Sequence, residues 1–104
     1  MTLSVKLEIT DAAIADIRSI REYTVAQWGE RQDEIYADLL WKRFEEILTD
    51  ASPYRFRHDL FPGCQIASEG RHVILFRIRK GVLQVVRVLH SAMDFKRHLG
   101  NLSK

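Results

Sequence analysis

The hydrophobic period of this chain switches from helical to strand-like between Ala51 and Cys64, and that switch limits most of what it can fold into. From Thr10 to Ala51 the apolar residues recur at helical spacing, whereas from Cys64 to His90 they gather in short runs of the strand type. Ala13, Ile17, Ile20, Thr24 and Trp28 share one helical face, preceded by the capping oxygens of Thr10 and Asp11 and closed by Gly29. A second stripe runs through Gln32, Tyr36, Leu39/Leu40, Phe44, Ile47 and Ala51, and must stop near Ser52 because Pro53 follows. So short a connection predicts an antiparallel helical hairpin.

Strand signals flank that hairpin. Leu3, Val5, Leu7 and Ile9 alternate with polar residues, the period of a half-buried N-terminal strand. Beyond Pro53 and the pair Pro62-Gly63, residues 64–68 predict a short strand turned by Glu69-Gly70-Arg71, and residues 72–79 and 82–90 predict a hairpin closed by Lys80-Gly81. Residues 94–99 predict a last helical turn or two, with Asp94 capping it and Met93 packing beneath, and residues 100–104 a polar tail. The fold class is therefore α+β: an N-terminal strand, an antiparallel helical hairpin packed on a small, mainly antiparallel sheet, and a short C-terminal helix. The 104 residues leave room for one domain, residues 1–99, and not two. Apolar runs fall far short of the roughly 20 residues that cross a bilayer. With a single cysteine, Cys64, and no signal segment, the expected compartment is the cytoplasm, without membrane contact.

Both helices are greasier than one buried face requires. Ala37, Trp41 and Leu48 broaden the apolar arc of the second helix to about 200°, and Ile14 and Val25 broaden the first. The surplus covers a loop or a partner; a partner is the favoured reading, which makes these five residues the candidate protein-binding surface. Charge is polarised in the same way. Residues 1–52 carry 6 Lys/Arg against 11 Asp/Glu, whereas residues 53–104 carry 10 against 3. A basic half attracts nucleic acid or an acidic protein segment, and the bland alternative is two solvated acidic helices.

Signals for catalysis are sparse. His58, His72, His90 and His98 are scattered, with no Cys or carboxylate pair near any of them at zinc-ligand spacing, so no metal or other cofactor is expected. Neither a nucleophile elbow nor a phosphate loop is present. Cys64 reads as an inert, half-buried thiol. Arg77 and Arg87 interrupt apolar strands: a two-residue turn at Lys80-Gly81 sets Arg77 beside Gln84 on one sheet face and Arg87 beside Ile74 on the other. Arg55, Arg57, Arg71, Arg79, Lys80, Lys96 and Arg97 add cations, but no groove-reading or base-stacking signature accompanies them, so sequence-specific nucleic-acid binding is not expected.

Several motifs together resemble the ParE toxins of type II toxin–antitoxin pairs, within the RelE/ParE superfamily. They are Tyr23-x4-Trp28-Gly29-x2-Gln32-x3-Tyr36, Pro62-Gly63, Gly70-x-His72-x3-Phe76-Arg77 and Val86-Arg87-Val88-Leu89-His90-x2-Met93-Asp94, and the likeness spans residues 5–99. In that setting Trp28 anchors the end of the first helix and Tyr36 packs across the hairpin. The resemblance implies a toxin that inhibits DNA gyrase by protein–protein contact, an enzyme inhibitor more than an enzyme. It also implies neutralisation by a ParD-like antitoxin of the same operon, in a hetero-oligomer. It further implies gyrase contacts at the C-terminal end, with His90, Met93, Asp94, Lys96 and Arg97 as candidates. RelE-side relatives are ribosome-dependent mRNA endonucleases with basic residues on the middle strands; were this chain one of them, His72 and Arg77 would be its basic site. Gln65 and Phe76 stand where relatives commonly carry arginine and tyrosine, which leaves a third reading, an interaction module that has lost toxicity.

Overall fold

The computed structural model describes residues 6–100; Leu3, Val5 and residues 101–104 of the tail lie outside the described residues. The elements are β1 (Lys6–Ile9), α1 (Asp11–Trp28), α2 (Glu30–Thr49), β2 (Gln65–Glu69), β3 (His72–Arg79), β4 (Val82–His90) and α3 (Phe95–Leu99). Thr10 caps α1 by accepting from the Ala13 amide at 3.1 Å, and its own hydroxyl donates to the Val86 carbonyl at 2.7 Å. One residue therefore starts the helix and pins it to β4. Gly29 separates the helices, and Lys80 and Gly81 both take positive φ, as a two-residue turn between twisted strands demands.

The sheet order is β1-β4-β3-β2, with β1 parallel to β4 and the other pairs antiparallel. Its two faces have separate cores. Ile74, Phe76, Leu83, Val85 and Val88 pack under the helices against Ala13, Leu40, Phe44 and Ile47. Val73, Leu75, Val86 and Leu89 face the other way and are covered by Leu60, Phe61, Cys64 and Leu99. The segment between α2 and β2 first flanks β2, where Phe56 bridges Gln65 and the Ile66 amide donates to the Arg55 carbonyl at 3.0 Å. It then crosses that second face.

Four expectations are corrected. A bulge between Leu75 and Phe76 makes Val86 an extra residue, so Arg87 stands opposite Leu75 rather than Ile74 and falls on the same sheet side as Arg77. Trp28 is 70% exposed and anchors nothing. Tyr36 turns to the sheet instead of across the hairpin, because its hydroxyl finds partners at the β2–β3 turn. Met93 is exposed, while Leu99 and Phe95 are the residues of this segment that pack down.

Candidate functional site

Two surfaces merit attention, and the first is the groove between the helices. Arg21 of α1 grips Asp33 of α2 through three contacts of 2.9–3.2 Å, which fixes the level of one helix against the other. Asp33 is itself buried, so this charge-assisted pair also satisfies a carboxylate inside the hairpin. Ile14 and Val25 lie on the Arg21 side of α1's buried stripe, at about 100° per residue. By the same geometry Ala37, Trp41 and Leu48 lie on the side of α2 that turns back to α1. Seven residues before Arg21 and eight after Asp33, Ile14 comes level with Trp41. Helix geometry therefore sets Ile14, Ala37 and Trp41 on the facing sides of the two helices, with Val25 nearer the Gly29 corner and Leu48 nearer the other end of α2. Ile14 is 43% and Trp41 51% exposed, and Trp41 rests edge-on against the buried Phe44 ring at 6.0 Å. Ala37 and Leu48 are half-buried, and Leu48 packs onto the first core.

The second surface is a shallow pocket where β3 begins and β4 ends, lined by Asp16, Ser19, Ile20, His72, His90, Met93 and His98 among others. Gly70 lets α2 reach it: a Cβ there would meet the Tyr36 ring at 3.0 Å, and its φ of +57° is one that L side chains rarely adopt. Tyr36 Oη donates to the Glu69 carbonyl at 2.7 Å and contacts His72 Nδ1 at 2.6 Å. A phenol has one proton and a carbonyl only accepts, so His72 carries its hydrogen on Nδ1 and keeps a lone pair on Nε2. The same reasoning places the proton of neutral His90 on Nε2, since its Nδ1 accepts from the Ala92 amide at 3.1 Å. Burial pushes the Tyr36 phenol up to about 12, with Glu69 adding to the shift. Burial, then the neighbouring His90, lowers the pKa of His72 below its ordinary value.

Arg87 closes one wall of the pocket. Its Nε and Nη2 donate to Asp16 at 2.7 and 2.8 Å and its Nη1 to the His98 carbonyl, while the Val88 amide donates to the same carboxylate at 3.0 Å. The Arg87 charge is therefore consumed in joining β4, α1 and α3. Arg77 lies elsewhere, with Nε on Gln84 Oε1 at 2.8 Å, so His72 and Arg77 do not form one site. Of the C-terminal candidates, Asp94 caps α3 by accepting from the Arg97 amide at 3.4 Å, Lys96 approaches Asp59 at 4.0 Å, and Arg97 is exposed. They share one end of the molecule with His90 and Met93. Cys64 is fully buried, and burial pushes its thiol up to about 12. Among the described residues no group of three His, Cys, Asp or Glu is placed to hold a metal ion, and no helix is long and apolar enough to cross a membrane.

The sequence did not mark Asp16 or Tyr36 as partners of β4 and β3. Gln65 was legible only as a departure, and its role is architectural: buried, it donates to the Ala51 and Tyr54 carbonyls at 2.8 and 3.1 Å and ties the segment after α2 to the sheet. Phe76 is fully buried, with its ring edge-on to Tyr54.

The fold is a helical hairpin on a four-stranded mixed sheet, with exposed apolar side chains on the outer side of the helices. A family model described as the ParE toxin of the type II toxin–antitoxin system, parDE, matches residues 7–95. Toxin ParE1 of Mycobacterium tuberculosis is 31% identical over 98 residues, 93% of this chain and all of that one. Toxin ParE of Escherichia coli is 30% identical over 97 residues, 92% of this chain and 94% of its own. A chain of the chromosomal ParDE system from P. aeruginosa has the same fold, with a TM-score of 0.72 at 18% identity over 86% of this chain and 98% of that one. The chain belongs to the ParE toxin family of type II toxin–antitoxin systems.

Proposed function

We propose that this toxin acts in the cytoplasm by inhibiting DNA gyrase through protein–protein contact, and that a ParD-like antitoxin neutralises it by seating an apolar helix face in the groove between α1 and α2. What supports the antitoxin part is the exposure of the apolar Ile14 and Trp41 beside a packed core, on the sides of α1 and α2 that helix geometry turns toward each other. Gyrase is favoured over RNA as the target because the histidine pocket lacks the set that phosphodiester cleavage needs. His72 is bound to Tyr36, and the Arg87 charge is matched by Asp16. His90, Met93, Asp94, Lys96 and Arg97 remain the candidate gyrase contacts.

Purified protein added to gyrase supercoiling and cleavage assays, beside a ribosome-programmed mRNA cleavage assay, tests the target. Inhibition of supercoiling without RNA cleavage is expected. RNA cleavage lost in His72→Ala would replace this reading with the endonuclease, and inactivity in both assays with antitoxin binding intact would replace it with a non-toxic interaction module. For the groove, Trp41→Glu is expected to weaken antitoxin binding at least tenfold, the scale of one buried aromatic anchor, with the protein still folded. Unfolding with unchanged affinity per folded molecule would remove Trp41 from the interface.

A further inference from the structure

The sheet face opposite the helices carries a cluster that neither proposed contact uses. Register places Lys6 beside Val82 and Glu8 beside Gln84 across β1 and β4, and Gln84 beside Arg77 and Val82 beside Arg79 across β4 and β3. Leu7 and Ile9 pack toward the helices, so Lys6 and Glu8 point the other way. Arg77 and Arg79 lie on that same side, for the Arg77 guanidinium sits over the Phe61 ring of the second core, 5.6 Å from its centroid. Three cations from β1 and β3, the two strands that flank β4, therefore meet on about 10 Å of sheet, two strand spacings wide, with Lys80 at the adjoining turn. One carboxylate, Glu8, lies among them, and it is engaged by Gln84 Nε2 at 2.6 Å.

Arg77 is fixed in place without a carboxylate partner among the described residues. Its Nε is fixed by Gln84 and its face by Phe61, yet among the described residues no carboxylate pairs with it and its two terminal nitrogens have no hydrogen-bond partner. Arg21, Arg43, Arg57 and Arg87 have carboxylate partners, and among the arginines without one in the described residues Arg77 is set apart by its fixed Nε and covered face. Burial, then Arg79, lowers the Arg77 pKa, with Cys64 and Glu8 opposing the shift. A guanidinium with its Nε and face occupied presents its two outer N–H groups as a ready fork for a carboxylate.

We infer that the face formed by Lys6, Arg77 and Arg79 is a second docking site, for a short acidic peptide segment of a partner protein. Charge complementarity sets the chemistry, and the size of the cluster sets the length: 10 Å spans two or three side chains of an extended peptide, far less than the track of cations a nucleic acid requires. Binders of single-stranded nucleic acid also offer exposed rings for bases. Here Phe61 is 1% exposed and already lies beneath Arg77. The inference stands whether or not gyrase is the target, because it concerns the opposite layer from the helix groove.

The test uses the full chain and two fluorescein-labelled probes, hexa-aspartate and a six-nucleotide oligothymidylate, by anisotropy at low and at near-physiological salt. Hexa-aspartate is expected to bind more tightly and to weaken with salt. Arg77→Gln and Arg79→Gln should each weaken it about tenfold, the scale of one charge-assisted fork, while Arg18→Gln on α1 should not. Arg79 is exposed, so its variant carries the test if Arg77→Gln fails to fold. The inference is overturned by tighter oligonucleotide binding, by equal loss in Arg18→Gln, or by peptide binding that neither strand variant changes.

Discussion

The two faces of the sheet are covered by different means. Over one lie two long helices whose buried residues repeat at fixed spacing; over the other lie an irregular segment and a five-residue helix, held by Leu60, Phe61, Cys64 and Leu99. The regular cover presents exposed apolar side chains such as Ile14 and Trp41 on its outside, and the irregular cover leaves part of its face to charged side chains. A layer made of repeating elements buries more than it needs and has apolar surface to spare, whereas a layer closed by single residues depends on each of them.

The largest expected effect lies on the regular face. Phe44 is 2% exposed at the centre of the first core, with Trp41 against its ring. Phe44→Ala should cost about 3–5 kcal/mol in denaturant unfolding, the usual penalty for emptying an aromatic site. It should also loosen the groove above. A cost under about 1 kcal/mol, in the same measurement, would mean that the helices are not what holds that face.

Next comes Leu99, which asks whether α3 is part of the second core. The sequence predicts only a last helical turn or two here, with Met93 as the residue that packs beneath it. Instead Leu99 is 5% exposed and packs with Leu60, Phe61 and Leu75, and Arg87 bonds the His98 carbonyl beside it. Leu99→Ala should therefore cost about 2 kcal/mol. Removal of residues 95–104 should lower the thermal midpoint further, so toxicity assays on the C-terminal end are better made with Lys96→Ala and Arg97→Ala. An unchanged midpoint in Leu99→Ala would return α3 to the status of trim.

Asp16 joins the two covers. Its carboxylate receives Arg87 and the Val88 amide, and Arg87 in turn holds α3. Both side chains are under one-fifth exposed, so solvent screens the pair only in part. Asp16→Ala should cost about 1–3 kcal/mol, the scale of a charged hydrogen-bonded group left without its partner. Hydrogen exchange at Val88 and in α3 should quicken together. Exchange confined to α1 would separate the covers and break the link.

Legibility in the sequence follows the same division. The period change set β3 and β4 at residues 72–79 and 82–90, and the helical hairpin at Gly29, because many residues vote for each element. The Val86 bulge was not legible, since an extra residue in an all-apolar strand leaves the pattern unbroken, and it moved Arg87 to the other side. Leu60 and Phe61 gave no signal because an irregular segment has no period. Asp16–Arg87 and Tyr36–His72 are contacts 71 and 36 residues apart, which local spacing cannot reveal.

The smallest effect is a pH dependence, and it asks whether the histidine pocket belongs to the regular layer through Tyr36. Facing His72 are Tyr36 from α2, the Glu69 carbonyl from the β2–β3 turn and His90 from β4, with Asp16 of α1 across the pocket already taken by Arg87. The folded-state pKa of His72 is lowered from its ordinary 6.5 by burial and then by His90. Below 6.5 the unfolded chain takes up a proton that the folded chain resists, so the unfolded state binds more protons and stability falls as pH falls. The contribution is fully present above 6.5 and is lost downward to the folded pKa, after which it is flat. His72 is only partly buried, so solvent screens it and the slope is shallow. The wild-type thermal midpoint should therefore drop on acidification from pH 7.5 toward pH 5, and His72→Gln should remove part of that drop while leaving the carboxylate-driven fall at lower pH in place. A His72→Gln profile that overlays the wild type would mean that the folded protein charges His72 as readily as water does, and the Tyr36–His72 contact would then not bind α2 to the sheet end.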